Sequence, residues 1–119
     1  MNTQEVAKEF TDLCSSGKME EAGRKFWSDD VVSIEAMTGD MARLQGRKAV
    51  EEKGKWWEQN NQLHNVKIDG PYVNGDEFTM TYEMDVTPKG KARTTMREIA
   101  LYKVKNGKVV EEKFYYGGS

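Results

Sequence analysis

The sequence predicts an α+β protein in which three helices from the N-terminal half pack on a strongly curved, mostly antiparallel sheet that encloses a pocket. Apolar residues at helical spacing occur in residues 1–60, and two long β-patterned hairpins occupy residues 63–116. The second hairpin contains Asn106-Gly107, a pair that favours a type I′ turn because both residues adopt positive φ at little cost. Helices followed by consecutive antiparallel strands are typical of the α+β class.

The first helix is predicted from a capping signal and an apolar stripe. Asn2 or Thr3 can cap this helix, and Glu5 is placed to complete a capping box on Asn2. The stripe that follows has helical spacing and contains Val6, Phe10, Leu13 and Cys14. Cys14 is therefore expected to be a small buried hydrophobe.

Two further helices are predicted at residues 18–27 and from residue 47 to about residue 60. The apolar face of the third helix is thin, and its lysines are expected to form a solvated face: Lys48, Lys53 and Lys55. Trp56 and Trp57 are adjacent in this helix, so their side chains point about 100° apart. One of them should pack in the core, and the other should line the pocket or an interface.

A β-strand rich in branched residues is predicted at residues 31–36, and Glu35 lies near its end. Residues 38–46 contain two glycines and no clear period, so a loop is expected there. Glu35 is a candidate general base, because burial can raise the pKa of a carboxyl group toward neutrality. The alternative is a solvated glutamate at the end of a strand.

The register of the first hairpin follows from its apolar rows. A three-residue loop, Asn74 to Asp76, places Tyr72 opposite Phe78, Ile68 opposite Tyr82, Val66 opposite Met84 and His64 opposite Val86. Tyr82 and Met84 are then expected in the core or the pocket wall. His64, the only histidine, is a pocket candidate because its unperturbed pKa lets it change charge between about pH 5 and pH 8. A hydrogen-bonded histidine at the core boundary is the alternative.

The register of the second hairpin follows from its two-residue turn, which places Val104 opposite Val109, Tyr102 opposite Glu111, Ala100 opposite Lys113 and Glu98 opposite Tyr115. Glu98 then shares an apolar row with Met96 and Tyr102, which predicts a carboxyl group that points inward. Pairing with Lys113 or an outward orientation is the alternative. The opposite row is expected to face outward and contains Ile99, Leu101, Val110, Phe114 and Tyr116.

Composition excludes several classes of function. The chain has 119 residues, treated as a single domain 1–119, and a formal net charge of −2, which gives no general attraction to nucleic acid or to an anionic membrane. Residues 1–10 do not resemble a signal peptide, so a cytoplasmic protein is expected. One cysteine and one histidine make a zinc site improbable. The sequence contains no glycine-rich phosphate-binding loop after a strand, so no cofactor is predicted. Residues 117–119 are expected to form a frayed tail.

Three stretches carry a resemblance to a known family: WSDDVVSIE at 27–35, GRKAVEEKGKWWEQN at 46–60 and EIALYKVKNGKVVEEKFYY at 98–116. With the element order, they resemble the SnoaL-like branch of the nuclear transport factor 2-like superfamily, which has a cone-shaped α+β fold. The superfamily includes ketosteroid isomerases, polyketide cyclases, epoxide hydrolases, dehydratases and pocketed proteins without an assigned reaction. Fold therefore does not fix function here.

The resemblance implies a site as well as a fold. Glu35 matches the position of the isomerases' catalytic base, and Glu98 is the nearest match to their second, protonated acid. The tyrosine that those enzymes place on the first helix has no counterpart, although Tyr115 could supply a phenol. The resemblance also implies an interior cavity and a homodimer through the outer face of the sheet. The Asp-Arg-Asp triad of the epoxide hydrolases has no match.

Three functions remain open from the sequence. The first is a pocket protein that binds a mostly apolar small molecule, with pocket residues Trp56, His64, Tyr82, Met84, Met96 and Tyr115 and no metal. The second is an isomerase, cyclase or lyase in which Glu35 is the base and Glu98 or Tyr115 stabilises an oxyanion. The third is a non-catalytic dimeric binding module.

Overall fold

A computed structural model describes residues 1–117 of the chain. The helices are α1 (Thr3–Ser15), α2 (Met19–Phe26) and α3 (Arg47–Asn60); the strands are β1 (Trp27–Ile34), β2 (Arg43–Gln45), β3 (Asn61–Asn74), β4 (Glu77–Pro88), β5 (Thr94–Lys105) and β6 (Lys108–Tyr115). Three helices and one six-stranded sheet confirm the α+β class. The tail prediction for Gly118 and Ser119 lies outside the described residues.

The strand order of the sheet is β2-β1-β6-β5-β4-β3. Every neighbouring pair is antiparallel except β1 and β6, which run parallel, so the sheet is mixed. This order places β6, the last strand, in the interior of the sheet beside the first. The two hairpins, β3–β4 and β5–β6, supply four of the six strands, and β1 and β2 complete the sheet.

The core lies between the helices and the inner face of the sheet. The ring of Phe10, on α1, has its centroid 4.7 Å from that of Tyr102 and 5.9 Å from that of Phe78. Phe26 of α2 joins the same group at 6.1 Å from Phe10. We call these four residues the aromatic cluster. The predicted capping box on α1 is confirmed, because the Glu5 amide donates to Asn2 Oδ1 at 2.8 Å and the Asn2 amide donates to Glu5 Oε1 at 3.0 Å.

Two boundaries near β1 differ from the prediction. The strand begins at Trp27 rather than at residue 31, and it ends at Ile34, so Glu35 follows the strand. The predicted loop at residues 38–46 contains a short strand, β2, whose residues Arg43 to Gln45 pair with β1. Three residues with one half-buried side chain carry too little periodicity to be recognised as a strand.

The first hairpin has the predicted apolar pairs and a different turn. Ile68 lies opposite Tyr82 and Val66 opposite Met84, as predicted. The loop contains two residues, Gly75 and Asp76, rather than three, and irregularities at residues 70–71 and at His64 shift the pairing. The predicted pairs Tyr72–Phe78 and His64–Val86 are therefore wrong. The apolar pairs Ile68–Tyr82 and Val66–Met84 form because an irregularity at residues 70–71 adds a residue to β3. The prediction had placed that additional residue in the loop.

The second hairpin has the predicted turn, but its register changes beyond the turn. Asn106 and Gly107 both have positive φ, at 52° and 75°, and Val104 lies opposite Val109 as predicted. One residue later, Val110 is bulged, so Lys103 lies opposite Glu111 and Ala100 opposite Phe114. Because successive side chains of a strand point to opposite faces, this bulge reverses the faces of the rest of β6.

The reversal corrects three predicted pairs and the predicted outward faces of Phe114 and Tyr116. The pairs Tyr102–Glu111, Ala100–Lys113 and Glu98–Tyr115 are wrong, since Tyr115 lies opposite Ile99 on the outer face and is 43% exposed. Phe114 packs against the core instead of facing outward. Glu112 is buried on the inner face, and Tyr116 reaches a hydrogen bond with Glu35.

Candidate functional site

Glu98 points to the inner face of β5, as its apolar row predicted. It lies opposite Tyr82 in the register of β4 and β5, between Met96 and Ala100. Its carboxyl group is buried, although the residue as a whole keeps some exposed surface. Burial, with help from the negative charges of Glu35 and Glu112, raises the pKa of Glu98 to about 7, and the ammonium of Lys53 opposes that rise.

Glu35 lies at the centre of a hydrogen-bonded group beside Glu98. The Lys53 ammonium of α3 donates to Glu35 Oε1 at 2.9 Å, and the Tyr116 hydroxyl donates to Glu35 Oε2 at 3.1 Å. The side chains of Lys53 and Glu35 are only 13% and 17% exposed, so this ion pair is shielded from water. Burial and the charge of Glu35 raise the pKa of Tyr116.

A third carboxyl group, that of Glu112, lies beneath this pair and is 4% exposed. Trp27 Nε1 donates to its Oε1 at 2.8 Å, and Ser33 Oγ donates to its Oε2 at 2.8 Å. Ser33 in turn accepts a hydrogen bond from Lys53. Burial raises the pKa of Glu112, whereas Lys53 and the two hydrogen bonds lower it. We call Glu35, Glu98, Glu112 and Lys53 the carboxyl cluster.

Gly23 of α2 makes room for the indole that contacts Glu112. A Cβ atom at Gly23 would lie 2.5 Å from the ring carbons of Trp27, closer than real Cβ atoms approach. The indole therefore lies directly against the helix, where its N–H group is aimed at β6. A local glycine thus contributes to the orientation of a carboxyl group at residue 112.

A separate buried group of polar atoms lies within the core. The hydroxyl groups of Tyr82 and Tyr102 share a hydrogen bond of 2.7 Å, and the Tyr82 hydroxyl lies 3.6 Å from the sulfur of Cys14. Burial raises the pKa of the Cys14 thiol to about 11 and the pKa of both tyrosines well above their usual value. These groups are neutral near pH 7 and act as hydrogen-bonding core residues, in keeping with the expectation for Cys14.

The structure brings together some of the sequence-predicted site residues. Glu35 and Glu98 are electrostatic neighbours, since the charge of Glu35 raises the pKa of Glu98. Tyr82 and Met84 are buried on the inner face, and Met96 packs partly against the same core.

Three predicted pocket residues lie elsewhere. Trp56 is exposed, and Trp57 is the tryptophan of α3 that packs against the core. His64 is exposed at an irregularity of β3, where its Nε2 lies 2.8 Å from Thr87 Oγ1. Tyr115 faces outward because of the bulge at Val110.

Sequence reasoning missed Lys53, Ser33, Glu112 and Tyr116. Lys53 was assigned to a solvated face, yet Val50, Lys53 and Trp57 recur at the i, i+3, i+7 spacing of one helix face, which was a usable signal. Glu112 and Tyr116 could not be found without the bulge at Val110, because strict alternation places both on the outer face.

The cluster is suited to moving a proton between carbon and oxygen atoms of a bound molecule. It combines a carboxyl group that titrates near neutrality with two hydrogen-bond donors, Lys53 and Tyr116.

Among residues 1–117, no three His, Cys, Asp or Glu side chains are placed to hold a metal ion. An open depression of about 650 Å³ lies between the end of α3 and the β4–β5 turn, and its lining does not include the carboxyl cluster.

Known structures share this architecture. A protein of unknown function with a cystatin-like fold from Xanthomonas campestris has a TM-score of 0.76 and 20% identity, covering 98% of this chain and 92% of that one. An NTF2-like protein from Anabaena variabilis has a TM-score of 0.78 and 15% identity, with 99% and 91% covered. At such identities the likeness concerns fold alone. The chain is an α+β protein of this cystatin-like, NTF2-like kind.

The family follows from closer matches. The model of the SnoaL-like domain matches residues 1–116, and the chain belongs to that family. A crystal structure from Mesorhizobium loti is 47% identical, with a TM-score of 0.95 and coverage of 98% of this chain and 100% of that one. It is described as a proposed SnoaL-like polyketide cyclase, with carbohydrate phosphatase as a further description.

Two findings accompany these matches. Comparison with proteins of curated function gives no match. Among residues 1–117, no helix is both long enough and apolar enough to cross a membrane.

Proposed function

We propose that this protein catalyses proton transfer at a carbon atom next to a carbonyl group of a small, mostly apolar molecule, in an isomerisation or a cyclisation. The observation that carries the proposal is Glu98, a buried carboxyl group with a pKa of about 7 beside the Lys53–Glu35 pair. A base is most effective when its pKa lies near the working pH, because it is then both available and strong enough. The description of the 47% identical structure as a proposed SnoaL-like polyketide cyclase agrees with a cyclisation.

In the proposed reaction, the Glu98 carboxylate takes a proton from the carbon next to the carbonyl. The C–H electron pair forms a carbon–carbon double bond, and the carbonyl π pair moves to oxygen, which gives an enolate. In an isomerisation, protonated Glu98 returns the proton to another carbon of the same molecule. In a cyclisation, the enolate carbon attacks an electrophilic carbon of the same molecule, and Glu98 supplies the proton that the product oxygen needs.

This proposal assigns the base to Glu98 rather than to Glu35. Both oxygens of Glu35 already accept hydrogen bonds, from Lys53 and Tyr116, so they are less open to a proton from a substrate carbon. The carboxyl group of Glu98 has no hydrogen-bond partner among the described side chains, so it is free to approach a bound molecule. Glu35 then orients the two donors.

The bound molecule is proposed to lie against the half-buried apolar residues near Glu98. Met96 precedes Glu98 by one inward position, and Phe114 lies opposite Ala100, the next inward position of β5. Trp57 of α3 adds a further half-buried surface against the same core. Apolar walls with a few polar groups are typical of small-molecule sites.

The test is hydrogen exchange in D₂O, followed by ¹H NMR, of a panel of neutral enolisable ketones with apolar bodies. The protein should accelerate exchange with a half-maximal rate near pH 7, and Glu98→Gln should lower the rate about a hundredfold or more. Glu111→Gln, on the outer face of the neighbouring strand, is the matched control and should keep the rate.

The same question has a substrate-free measurement. In protein with ¹³C-labelled glutamate, the side-chain carboxyl resonance of Glu98 should titrate near pH 7 and is identified by its disappearance in Glu98→Gln. A Glu98 resonance that titrates near 4.5, the ordinary pKa of a glutamate, would exclude the proposed base.

A homodimer through the outer face of the sheet is proposed separately. Ile99 and Tyr115 lie opposite each other on that face, and both are exposed. Sedimentation at micromolar concentration should give a dimer, and Ile99→Asp should give a monomer because it places a charge in the apolar contact. A monomeric parent protein would contradict the dimer without affecting the proposed chemistry, since the described site lies on the inner face.

A further inference from the structure

Lys53 is connected to Glu112 through Ser33 by two hydrogen bonds, and in each of them the donor is on the side of Lys53. Lys53 carries three N–H donors and no acceptor, so Ser33 Oγ must accept from it. The single hydroxyl hydrogen of Ser33 is then available for Glu112 Oε2, at 2.8 Å. Trp27 Nε1, which can only donate, occupies Glu112 Oε1. Ser33 and Trp27 therefore both donate to Glu112, and Lys53 donates to Ser33.

The hydrogen bonds fix the position of Glu112 and influence its charge. Those from Trp27 and Ser33, with the positive charge of Lys53, favour the ionised form, whereas burial raises the pKa of Glu112 overall. In either form Glu112 is joined to Lys53 through the hydroxyl group of Ser33. When Glu112 is ionised, Lys53 supplies the nearby positive charge that a buried carboxylate requires.

One of the three N–H groups of the Lys53 ammonium has no hydrogen-bond acceptor among residues 1–117. Two of its three N–H donors have acceptors among residues 1–117, namely Ser33 and Glu35. Its nitrogen lies 5.2 Å from the centroid of the Phe114 ring, on the inner face of β6. The third hydrogen is therefore available at the half-buried apolar surface where the molecule is proposed to bind.

We propose that Lys53 donates its remaining hydrogen bond to the carbonyl oxygen of the substrate as that oxygen gains negative charge, and that buried Glu112 holds Lys53 in place through Ser33. This inference rests on the proposed function, because an oxyanion forms only if a proton leaves the neighbouring carbon. Lys53 is then a catalytic residue, whereas Ser33 and Glu112 are positioning residues. The proposal does not use Lys53 as a nucleophile, since an ammonium that donates all its hydrogens has no free electron pair.

The charge balance of the site narrows the substrate class. Three carboxyl groups surround one ammonium, and their combined field is negative whenever more than one of them is ionised. Once Glu98 is ionised as well, a molecule with a fixed negative charge, such as a phosphate or a carboxylate, is repelled before it reaches Lys53. With Glu98 protonated, the hydrogen bond from Lys53 is expected to outweigh the remaining negative charge. A neutral carbonyl compound has no such penalty and acquires its charge only next to the ammonium. The proposed substrate is therefore neutral.

The test is the binding of a ready-made oxyanion. Isothermal titration calorimetry at about pH 6, below the pKa of Glu98, compares a dinitrophenolate that is ionised at this pH with dinitroanisole, its neutral methyl ether. The protein should bind the phenolate more tightly than the ether. Lys53→Met should weaken phenolate binding about tenfold or more, because a hydrogen bond to a charged group is lost, and should leave ether binding almost unchanged.

A pair of serine variants tests the positioning role on the same strand. Ser33→Ala breaks the connection to Glu112 and should weaken phenolate binding about threefold to tenfold. Ser28→Ala is the matched control, because the Ser28 hydroxyl of β1 is buried and has no hydrogen-bond partner among the described residues. Ser28→Ala should bind the phenolate as the parent protein does, which separates loss of a hydroxyl from loss of this connection.

The outcomes separate this inference from the proposed function. Glu98→Gln should abolish ketone exchange and still bind the phenolate, because it removes the base and keeps Lys53. No preference for phenolate over ether in the parent protein, or equal binding by Ser33→Ala and Ser28→Ala, would overturn the inference. A ketone adduct on Lys53 trapped by borohydride and seen by mass spectrometry would overturn it also, since Lys53 would then be a nucleophile. None of these results would remove Glu98 as the base.

Discussion

The aromatic cluster and the carboxyl cluster share the inner face of one sheet and have opposite effects on stability. Along β5, Tyr102 of the aromatic cluster and Glu98 of the carboxyl cluster are only four residues apart. The aromatic rings pack against one another within 4.7 to 6.1 Å, and burial of such rings is favourable. Glu98 is held where burial makes ionisation unfavourable, which its raised pKa reflects.

The comparison indicates that the aromatic cluster contributes stability, whereas the carboxyl cluster provides the groups for chemistry. A carboxyl group becomes a base near neutral pH because the fold withholds water and hydrogen bonds from it. The same lack of water and hydrogen bonds lowers the free energy of unfolding once the carboxyl group is ionised. The aromatic cluster and the rest of the apolar core must offset this cost. Substitutions in the two clusters should therefore change the free energy of unfolding in opposite directions.

The largest expected effect is at Phe10, whose ring contacts the other three members of the aromatic cluster. Phe10→Ala should lower the free energy of unfolding by about 3–5 kcal/mol, because it removes buried apolar surface and leaves a cavity. Chemical denaturation at constant pH measures this loss. A loss below about 1 kcal/mol would show that the cluster does not carry the stability.

The second effect has the opposite sign and depends on pH. The pKa of Glu98 rises from 4.5 to about 7 on folding, so the folded state binds the proton more tightly than the unfolded state. Stability must then fall as pH increases between these values, and the cost is fully present above the folded pKa. Glu98→Gln should remove that cost and raise the free energy of unfolding by about 1–3 kcal/mol near pH 8, with little gain near pH 4.

Denaturation curves of both proteins at these pH values check the sign. Equal stability of Glu98→Gln and the parent protein at high pH would indicate that Glu98 is solvated. Glu111→Gln serves again as the control, because it changes a glutamate on the outer face.

Gly23 offers a way to disturb the carboxyl cluster from a distance. Gly23→Ala should lower stability by about 1–3 kcal/mol, because the new Cβ atom would overlap the Trp27 ring. It should also move the Glu112 resonance in the ¹³C titration. Gly54→Ala in α3 is the matched control: a Cβ atom there meets nothing within 4 Å, so helix propensity should raise stability by up to about 1 kcal/mol.

The smallest effect concerns the hydrogen bond between Tyr82 and Tyr102. Tyr82→Phe removes the hydroxyl that Tyr102 shares at 2.7 Å and leaves a buried polar group without its partner. The expected loss is about 1–2 kcal/mol, measured by thermal and chemical denaturation. Tyr115→Phe should cost almost nothing, because Tyr115 is exposed. Equal effects of the two substitutions would place the Tyr82 hydroxyl in contact with water.

Most of the fold could be predicted from local signals in the sequence. The Asn2 capping box, the Asn106-Gly107 turn and the apolar rows of β4 and β5 each act over a few residues, and all three are confirmed. The parallel pairing of β1 with β6 could not be predicted in this way. It joins strands separated by most of the chain and has no local signature.

The candidate site was only half predictable, for a definite physical reason. Glu98 and Tyr82 lie on the part of the sheet where strict alternation holds, and their inward orientation followed from it. Glu112 and Tyr116 lie beyond the bulge at Val110, where one additional residue exchanges the two faces. A bulge depends on how the sheet as a whole bends. The sequence of β6 alone therefore could not reveal it.

The interior position of β6 has a consequence for how the site is assembled during folding. Ser33 and Glu112 are 79 residues apart in the chain, so their contact closes a very long loop. Such contacts form late, because the entropy lost in closing the loop is recovered only once the intervening strands are in place. The three helices and the β3–β4, β4–β5 and β5–β6 pairs are local in the sequence and can form beforehand. A folding intermediate with these parts intact would contain Glu98, Lys53 and Glu112 and yet lack the link through Ser33 of β1 that positions the lysine. Proton-transfer activity should therefore appear in refolding only with the final docking of β1 against β6, after most of the secondary structure has formed.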